Sequence, residues 1–254
     1  MTELLPALPD ETFQRVLCVV AHPDDMEYGT SAAVARWTAR GVEVGYLLLT
    51  RGEAGMPNPP EETARLRLQE QRTACGTVGV EHLAVLQHPD GVLVHGPELR
   101  RDICREIRRF KPDVVIGMPY EIETPIGFNQ PDHRAAGLAT VDAINDAGTR
   151  WIFPEQIDDE GLETWSPRWF LIPGMAGAAD ATHGVDVTGR PVRLGVASLE
   201  SHAAYLAALP DHPAPADFIP KILAVGGELL GVEHAVLFRA VDRHAPPPFL
   251  EDLT

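Results

Sequence analysis

The sequence predicts an α/β fold: a Rossmann-like, doubly wound, mainly parallel sheet with helices on both faces and a less regular C-terminal part. Three observations predict it. Apolar runs of strand length alternate with helix-like segments between residues 16 and 146. The runs are nearly continuous, the pattern of parallel strands buried on both faces. The first run, Val16-Leu17-Cys18-Val19-Val20-Ala21, ends abruptly in His22-Pro23-Asp24-Asp25-Met26-Glu27. That places an imidazole and three acids at the carboxyl end of a strand, where open α/β sheets bind their ligands.

The elements follow in order. Residues 1–14 are a polar lead-in, and the first strand covers 16–21. Residues 31–40 are rich in helix formers and stop at Gly41, a good residue to follow a helix. The second strand is 42–49, followed by Thr50-Arg51-Gly52-Glu53-Ala54-Gly55, whose glycines would let backbone approach a ligand. Prolines 59 and 60 with Glu61 and Glu62 open a helix that runs to about residue 76. The third strand, 82–87, ends in His88-Pro89-Asp90-Gly91, and Pro97 opens a helix to residue 110. The five arginines of that helix alternate with acids and read as a solvated face. The fourth strand is 114–118; a punctuated loop, 119–131, leads into Asp132-His133-Arg134 and a helix to about 146. From Trp151 the rhythm loosens: a fifth strand within 165–173, a short extended piece at 185–188, a helix over 191–209, a proline-rich connection over 210–220, a helix over 219–230 and a last strand over 235–241. The expected organisation is a single α/β domain over 1–254, with a Rossmann-like core at 15–148 and a C-terminal part, 149–254, completing the fold and pocket.

Composition excludes several classes. The 254 residues carry a formal charge of −16, which disfavours nucleic acid and anionic membranes as partners. No apolar stretch has the length of a bilayer span. Three cysteines, with no CxxC pair, suggest free buried thiols in a reducing compartment, so the expected location is cytoplasmic. A small molecule is the expected partner, and a homo-oligomer is compatible with the size. No G-x-G-x-x-G follows the first strand, which removes a dinucleotide site.

His22 and Asp25, on one strand-to-helix turn, can chelate a metal while Asp24 stays free as a base. The plainer alternative is a capping or core histidine beside acids that favour a helix N-terminus. In a doubly wound sheet the first and fourth strands are neighbours, so Asp132 and His133 converge on the same crevice. His22, Asp25 and His133 would then give three ligands and an open position, the pattern of a catalytic zinc; another divalent metal such as Fe2+ is compatible.

Four stretches together, A-H-P-D-D-x-E at 21–27, Thr50 to Gly55, His88 to Gly91 and Pro131 to Gly137, resemble the PIG-L (LmbE-like) zinc de-N-acetylase family in the right order. Asp186-Val187-Thr188 and Ser198-Leu199-x-x-His202 are weaker echoes. The resemblance implies that His22, Asp25 and His133 hold Zn2+, that Asp24 is the general base and that Asp132 tunes its neighbours. It implies that Arg67 holds a sugar hydroxyl, and it places Glu53 and Asn129 beside the substrate. The implied activity is removal of an acyl group, typically acetyl, from the amide nitrogen of an N-acyl amino sugar or related small metabolite; some relatives cleave the amide of thiol conjugates instead.

One position departs from that pattern. The family usually has His-Pro-Asp-His, whereas this chain has Gln130-Pro131-Asp132-His133. Gln130 can donate a hydrogen bond to an oxyanion but cannot carry a proton. The departure leaves open a slower enzyme, one relying on Asp24 for both proton steps, a metal-binding homologue without catalysis, or a histidine from elsewhere; His88, His183 and His202 are the candidates. An acidic pair after a first strand is also a feature of phosphoacceptor receivers, but the chain is about twice their size and gives His22 and His133 no role there.

Overall fold

The strand β1 (Arg15–Val20) pairs in parallel with β2 (Glu43–Leu48) on one side and β4 (Val114–Ile116) on the other. Val16 to Val19 have no exposed surface, which explains a run without polar interruption. The computed structural model describes residues 4–124, 127–174 and 180–245. Four further strands, β3 (His82–Val85), β7 (Trp169–Pro173), β8 (His183–Asp186) and β9 (Ala235–Asp242), complete a seven-stranded sheet in the order β3-β2-β1-β4-β7-β9-β8. The first five are parallel and β9 runs antiparallel to both its neighbours. The loop 119–131, of which 125 and 126 lie outside the described residues, holds a two-stranded hairpin of β5 (Glu123–Thr124) and β6 (Gly127–Phe128).

The chain steps from β1 outward to β3, then returns across β1 to β4 and continues to β7. Right-handed crossovers therefore place α1 (Ser31–Thr38) and α2 (Pro60–Val78) on one face, and α3 (Pro97–Phe110) and α4 (Pro131–Ala147) on the other. Within the C-terminal half, α6 (Arg190–Glu200) packs on α1 and α2, and α8 (Pro215–Leu230) packs on α6 and β9. Both halves thus share one sheet and one core. The reversal point lies between β1 and β4, where the turn carrying His22 and the first turn of α4 carrying His133 meet.

Three expectations need correction. The helix expected over 191–209 is two helices, α6 and α7 (Ala203–Ala207). His202 breaks it, with non-helical angles (φ −86°, ψ 46°) and a wholly buried side chain. Second, α8 starts inside the proline-rich stretch, because Pro215 occupies the first turn, where no backbone donor is needed. Third, Arg108 does not belong to a solvated face. Arg100, Arg101, Arg105 and Arg109 pair with acids, but Arg108 has no exposed surface and donates to the carbonyls of Asp146, Ala147, Thr149, Ile152 and Phe153. It satisfies the C-terminal end of α4 and the turn leading to α5 (Glu155–Asp158).

Replacing Arg108→Leu strips those carbonyls of their donors, and urea unfolding is expected to show a loss of at least about 3 kcal/mol. His202 supplies a second test. Burial lowers its pKa to about 3, below the usual value near 6.5. The unfolded chain therefore takes up the proton first. Its contribution is fully present above pH ~6.5 and is lost as pH falls towards 3, by about 1.4 kcal/mol per pH unit. The stability difference between wild type and His202→Leu is expected to shrink with that slope in urea titrations between pH 6.5 and 4.

Candidate active site

The turn after β1 is bent back on itself. The His22 N–H donates to Asp25 Oδ2 (2.8 Å), and Asp24 adopts φ +86°, left-handed for a residue with a Cβ. On the other side of the crevice Pro131 sits in the first turn of α4, followed by Asp132 and His133. A Cβ at Gly137 would stand 2.4 Å from the Met118 carbonyl oxygen, so glycine there lets α4 close on the end of β4.

The two turns bring His133 Nε2 to 3.1 Å from Asp25 Oδ1, and His22 Nδ1 to 3.7 Å from Asp25 Oδ2. The opposite nitrogen, His22 Nε2, lies 3.0 Å from Asp90 Oδ1 and 3.3 Å from Asp132 Oδ2. Two sets of ligand atoms lie within 4.8 Å of one another: His22, Asp25 and His133, and His22, Asp90 and Asp132. The second set is already satisfied. Asp132 accepts the amides of Gly91 (2.7 Å) and Leu93 (3.0 Å), and Asp90 accepts that of Ala54 (2.7 Å). With Nε2 held by those two carboxylates, Nδ1 of His22 is left on the side of Asp25, which His133 also contacts. Two imidazoles and one carboxylate form a donor set that fits a divalent metal with an open position, and a carboxylate on the far nitrogen is how ligating histidines are usually oriented.

The electrostatics follow from crowding. Burial alone would depress the His22 pKa, but the bonds to Asp132, Asp25 and Asp90 push it up to about 12. Burial would raise Asp25, but the charge and hydrogen bond of His133 hold it well below the usual carboxylate range. Asp24 is 4% exposed; burial, opposed by Arg67 and reinforced by Asp25, raises it to about 7.

These groups open on a cavity of about 810 Å³. His22, Asp24, Asp25, His133, Gln130 and Asn129 line it. Gln130 is exposed at the N-cap of α4, with no side-chain hydrogen bond among the described residues. Asn129 lines the cavity while its Nδ2 donates to the carbonyls of Pro119 (2.7 Å) and Glu121 (3.1 Å). Arg67 also lines the cavity but is 2% exposed, and it donates to Asp24 Oδ1 (2.8 Å) and the Pro23 carbonyl (2.6 Å). Glu53 lies behind the wall: its carboxylate accepts the amides of Arg51 and Asp90 (both 3.2 Å).

The glycines at 52 and 55 also answer a packing need, and Gly55 lines the cavity. A Cβ at either would meet Arg67 Nη1, at 2.4 and 2.6 Å. They make room for the arginine that holds Asp24. His88 pairs with Asp102, His183 lies on β8, and His202 is buried 4.0 Å from Glu27; none of the three lines the cavity. Of the aromatic residues in the C-terminal half, Tyr205 does, with its ring centroid 4.0 Å from the Arg67 guanidinium carbon. Sequence reading left out Gln71 and the grip of Asp90 on His22. Gln71 was recoverable, since it lies four residues after Arg67 on one helix face.

Two predictions follow from this geometry. His22→Ala, Asp25→Ala and His133→Ala are each expected to abolish stoichiometric binding of a divalent metal, read by metal analysis after dialysis against zinc. Asp90→Asn leaves the ligand atoms in place but weakens the hold on His22, and zinc affinity measured by competition with a chromogenic chelator is expected to fall about 10–100-fold.

Comparisons with known proteins identify relatives of the chain. Over 147 residues the chain is 33% identical to a diacetylchitobiose deacetylase of Thermococcus kodakarensis, covering 55% of this chain and 52% of that one. Over 165 residues it is 30% identical to a 1D-myo-inositol 2-acetamido-2-deoxy-alpha-D-glucopyranoside deacetylase of Kineococcus radiotolerans, covering 52% and 45%. The chain thus spans about half the length of these curated relatives. The solved N,N'-diacetylchitobiose deacetylase of Pyrococcus horikoshii, in complex with an inhibitor, superposes with a TM-score of 0.80 at 25% identity, covering 97% of this chain and 91% of that one. The pattern of the PIG-L family, described as GlcNAc-PI de-N-acetylase, matches residues 17–144, the span that holds both histidines and every carboxylate of the site, and the chain belongs to that family.

Proposed function

We propose that the chain is a zinc-dependent hydrolase that removes the acetyl group from the amide nitrogen of an N-acetylglucosamine unit in a small soluble substrate. The observation that carries this reading is the cluster of His22, Asp25 and His133, with buried Asp24 beside it at the floor of one cavity. The relatives' activities on diacetylchitobiose and on a GlcNAc-inositol support the substrate class.

His22, Asp25 and His133 would hold the metal. A zinc ion bound there supplies Lewis acidity, polarising the amide carbonyl and making water more acidic. The remaining steps belong to the chain. Asp24 Oδ1 is engaged by Arg67 Nη2, which leaves Oδ2 to accept the proton of the water that adds to the carbonyl carbon. The C–N bond then breaks, the same proton passes from Oδ2 to the departing nitrogen, and the products are acetate and a free amine. The Gln130 side-chain amide, free at the cavity wall, can donate to the developing oxyanion.

The test is release of acetate and free amine from N-acetylglucosamine, N,N'-diacetylchitobiose and N-acetylglucosaminyl conjugates by zinc-loaded protein. Turnover is expected, with Asp24→Ala lowering kcat by about 10²–10⁴-fold while zinc stays bound. Gln130→His, which restores a group able to carry a proton, is expected to raise kcat by about tenfold or more. A second reading, a metal-binding homologue without catalysis, is favoured by Gln130 alone. It predicts no turnover by the native chain and turnover by the Gln130→His variant.

A further inference from the structure

Asp24 is the strained point of the site. A non-glycine residue at φ +86° persists only where its surroundings over-determine it. The Glu27 N–H donates to the Asp24 carbonyl (2.8 Å), and Arg67 Nη2 binds both Asp24 Oδ1 and the Pro23 carbonyl. A further contact comes from a residue the mechanism does not use. The Asp24 N–H donates to Gln71 Oε1 at 2.8 Å.

Gln71 is 1% exposed and sits one helical turn beyond Arg67 on α2. Its other end is fixed. Gln71 Nε2 donates to Glu27 Oε1 (3.2 Å), an oxygen that also accepts Ser198 Oγ from α6 (3.3 Å). Because the Asp24 N–H can only donate, the amide of Gln71 turns its oxygen towards Asp24 and its NH2 towards Glu27 Oε1. Glu27 and Ser198 are themselves wholly buried, so the chain of contacts from α6 to Asp24 is closed to water.

We propose that Gln71 is a positioning residue for the reaction. By accepting the Asp24 N–H it locks the left-handed turn, while Arg67 fixes one carboxylate oxygen. Two anchors a turn apart on one helix then define the direction in which Asp24 Oδ2 faces the cavity. The proposal rests on Asp24 being the base.

The test combines kinetics with backbone hydrogen exchange of the zinc-loaded chain. In Gln71→Leu, kcat on an N-acetylglucosaminyl substrate is expected to fall about 10–100-fold, with KM and zinc affinity within about twofold of wild type. The Asp24 amide, read by NMR, is expected to exchange slowly in wild type and at least about 100-fold faster in Gln71→Leu, with its Cα shift leaving the left-handed range. Ser198→Ala keeps the acceptor on Asp24 and is expected to match wild type in exchange and kcat. Wild-type exchange needs no variant, so it decides even if Gln71→Leu does not fold. A freely exchanging Asp24 amide in active wild type, or a folded Gln71→Leu with wild-type kcat, overturns the role of Gln71. A wild-type chain that hydrolyses no N-acyl substrate sinks the reading of Asp24 as base, and the role of Gln71 in catalysis with it.

Discussion

The site is governed by the crowding of buried negative charge. Asp24, Asp25, Glu27, Asp90 and Asp132 converge at the carboxyl ends of β1 and β3 and the start of α4, and Arg67 is the one fixed cation bonded to any of them among the described residues. Carboxylates withdrawn from water are tolerated only when paired or hydrogen-bonded. Each takes a different solution. Asp90 and Asp132 take backbone amides and His22, Asp24 takes Arg67, Asp25 takes both histidines, and burial pushes Glu27 up to about 8, towards its neutral form. What remains is a pocket in which Asp25 lies against two imidazoles, those of His22 and His133, at the edge of an open cavity. A divalent cation completes that balance better than protons on the imidazoles do, because it can bind all three donors at once.

That requirement explains the arrangement of the surrounding sequence. The loop after β2 contributes Glu53, which holds the amide of Asp90, and Ala54, which Asp90 holds in turn. The turn after β3 contributes Asp90 to His22 and the amides of Gly91 and Leu93 to Asp132. Stretches that look like separate ligand-binding motifs therefore form one scaffold, whose product is the orientation of His22. The open cavity beside this scaffold is lined by residues of α4, α7 and the turn after β1, together with Ala54, Gly55, Asp90 and Gly91 of the scaffold loops.

Much of this was legible in the sequence because parallel sheets enforce it. Uninterrupted apolar runs mark β1, β2 and β4, and the reversal of strand order between β1 and β4 brings His22 and His133 together whatever their separation along the chain. Roles set by side-chain direction were not legible. Glu53 lies in a loop and Arg67 on α2, and nothing in their spacing shows which neighbouring amide, carbonyl or carboxylate each side chain reaches. Arg108 follows the spacing of a surface arginine, yet the end of α4 folds over it and supplies five carbonyls. The break at His202 was hidden for a similar reason: its neighbours are good helix formers, and the burial of its side chain beside Glu27 depends on packing that spacing does not reveal.

On the proposed reading, Gln130 shifts the burden of proton transfer onto one atom. With Arg67 fixed on Oδ1, Asp24 has a single oxygen to accept the water proton and return it to the amine. A strong acid would accept poorly, and a strong base would not give the proton back. Burial raises Asp24 to about 7, while Arg67 pulls in the other direction, so the group sits between those extremes. The same arginine that restricts Asp24 to one oxygen thus keeps that oxygen from becoming too basic. A second proton-carrying group beside the oxyanion would relax this demand, and its absence makes the orientation of Asp24 the feature on which both proton transfers depend. The backbone strain concentrated at Asp24, and the two residues of α2 that hold it, are the structural expression of that dependence.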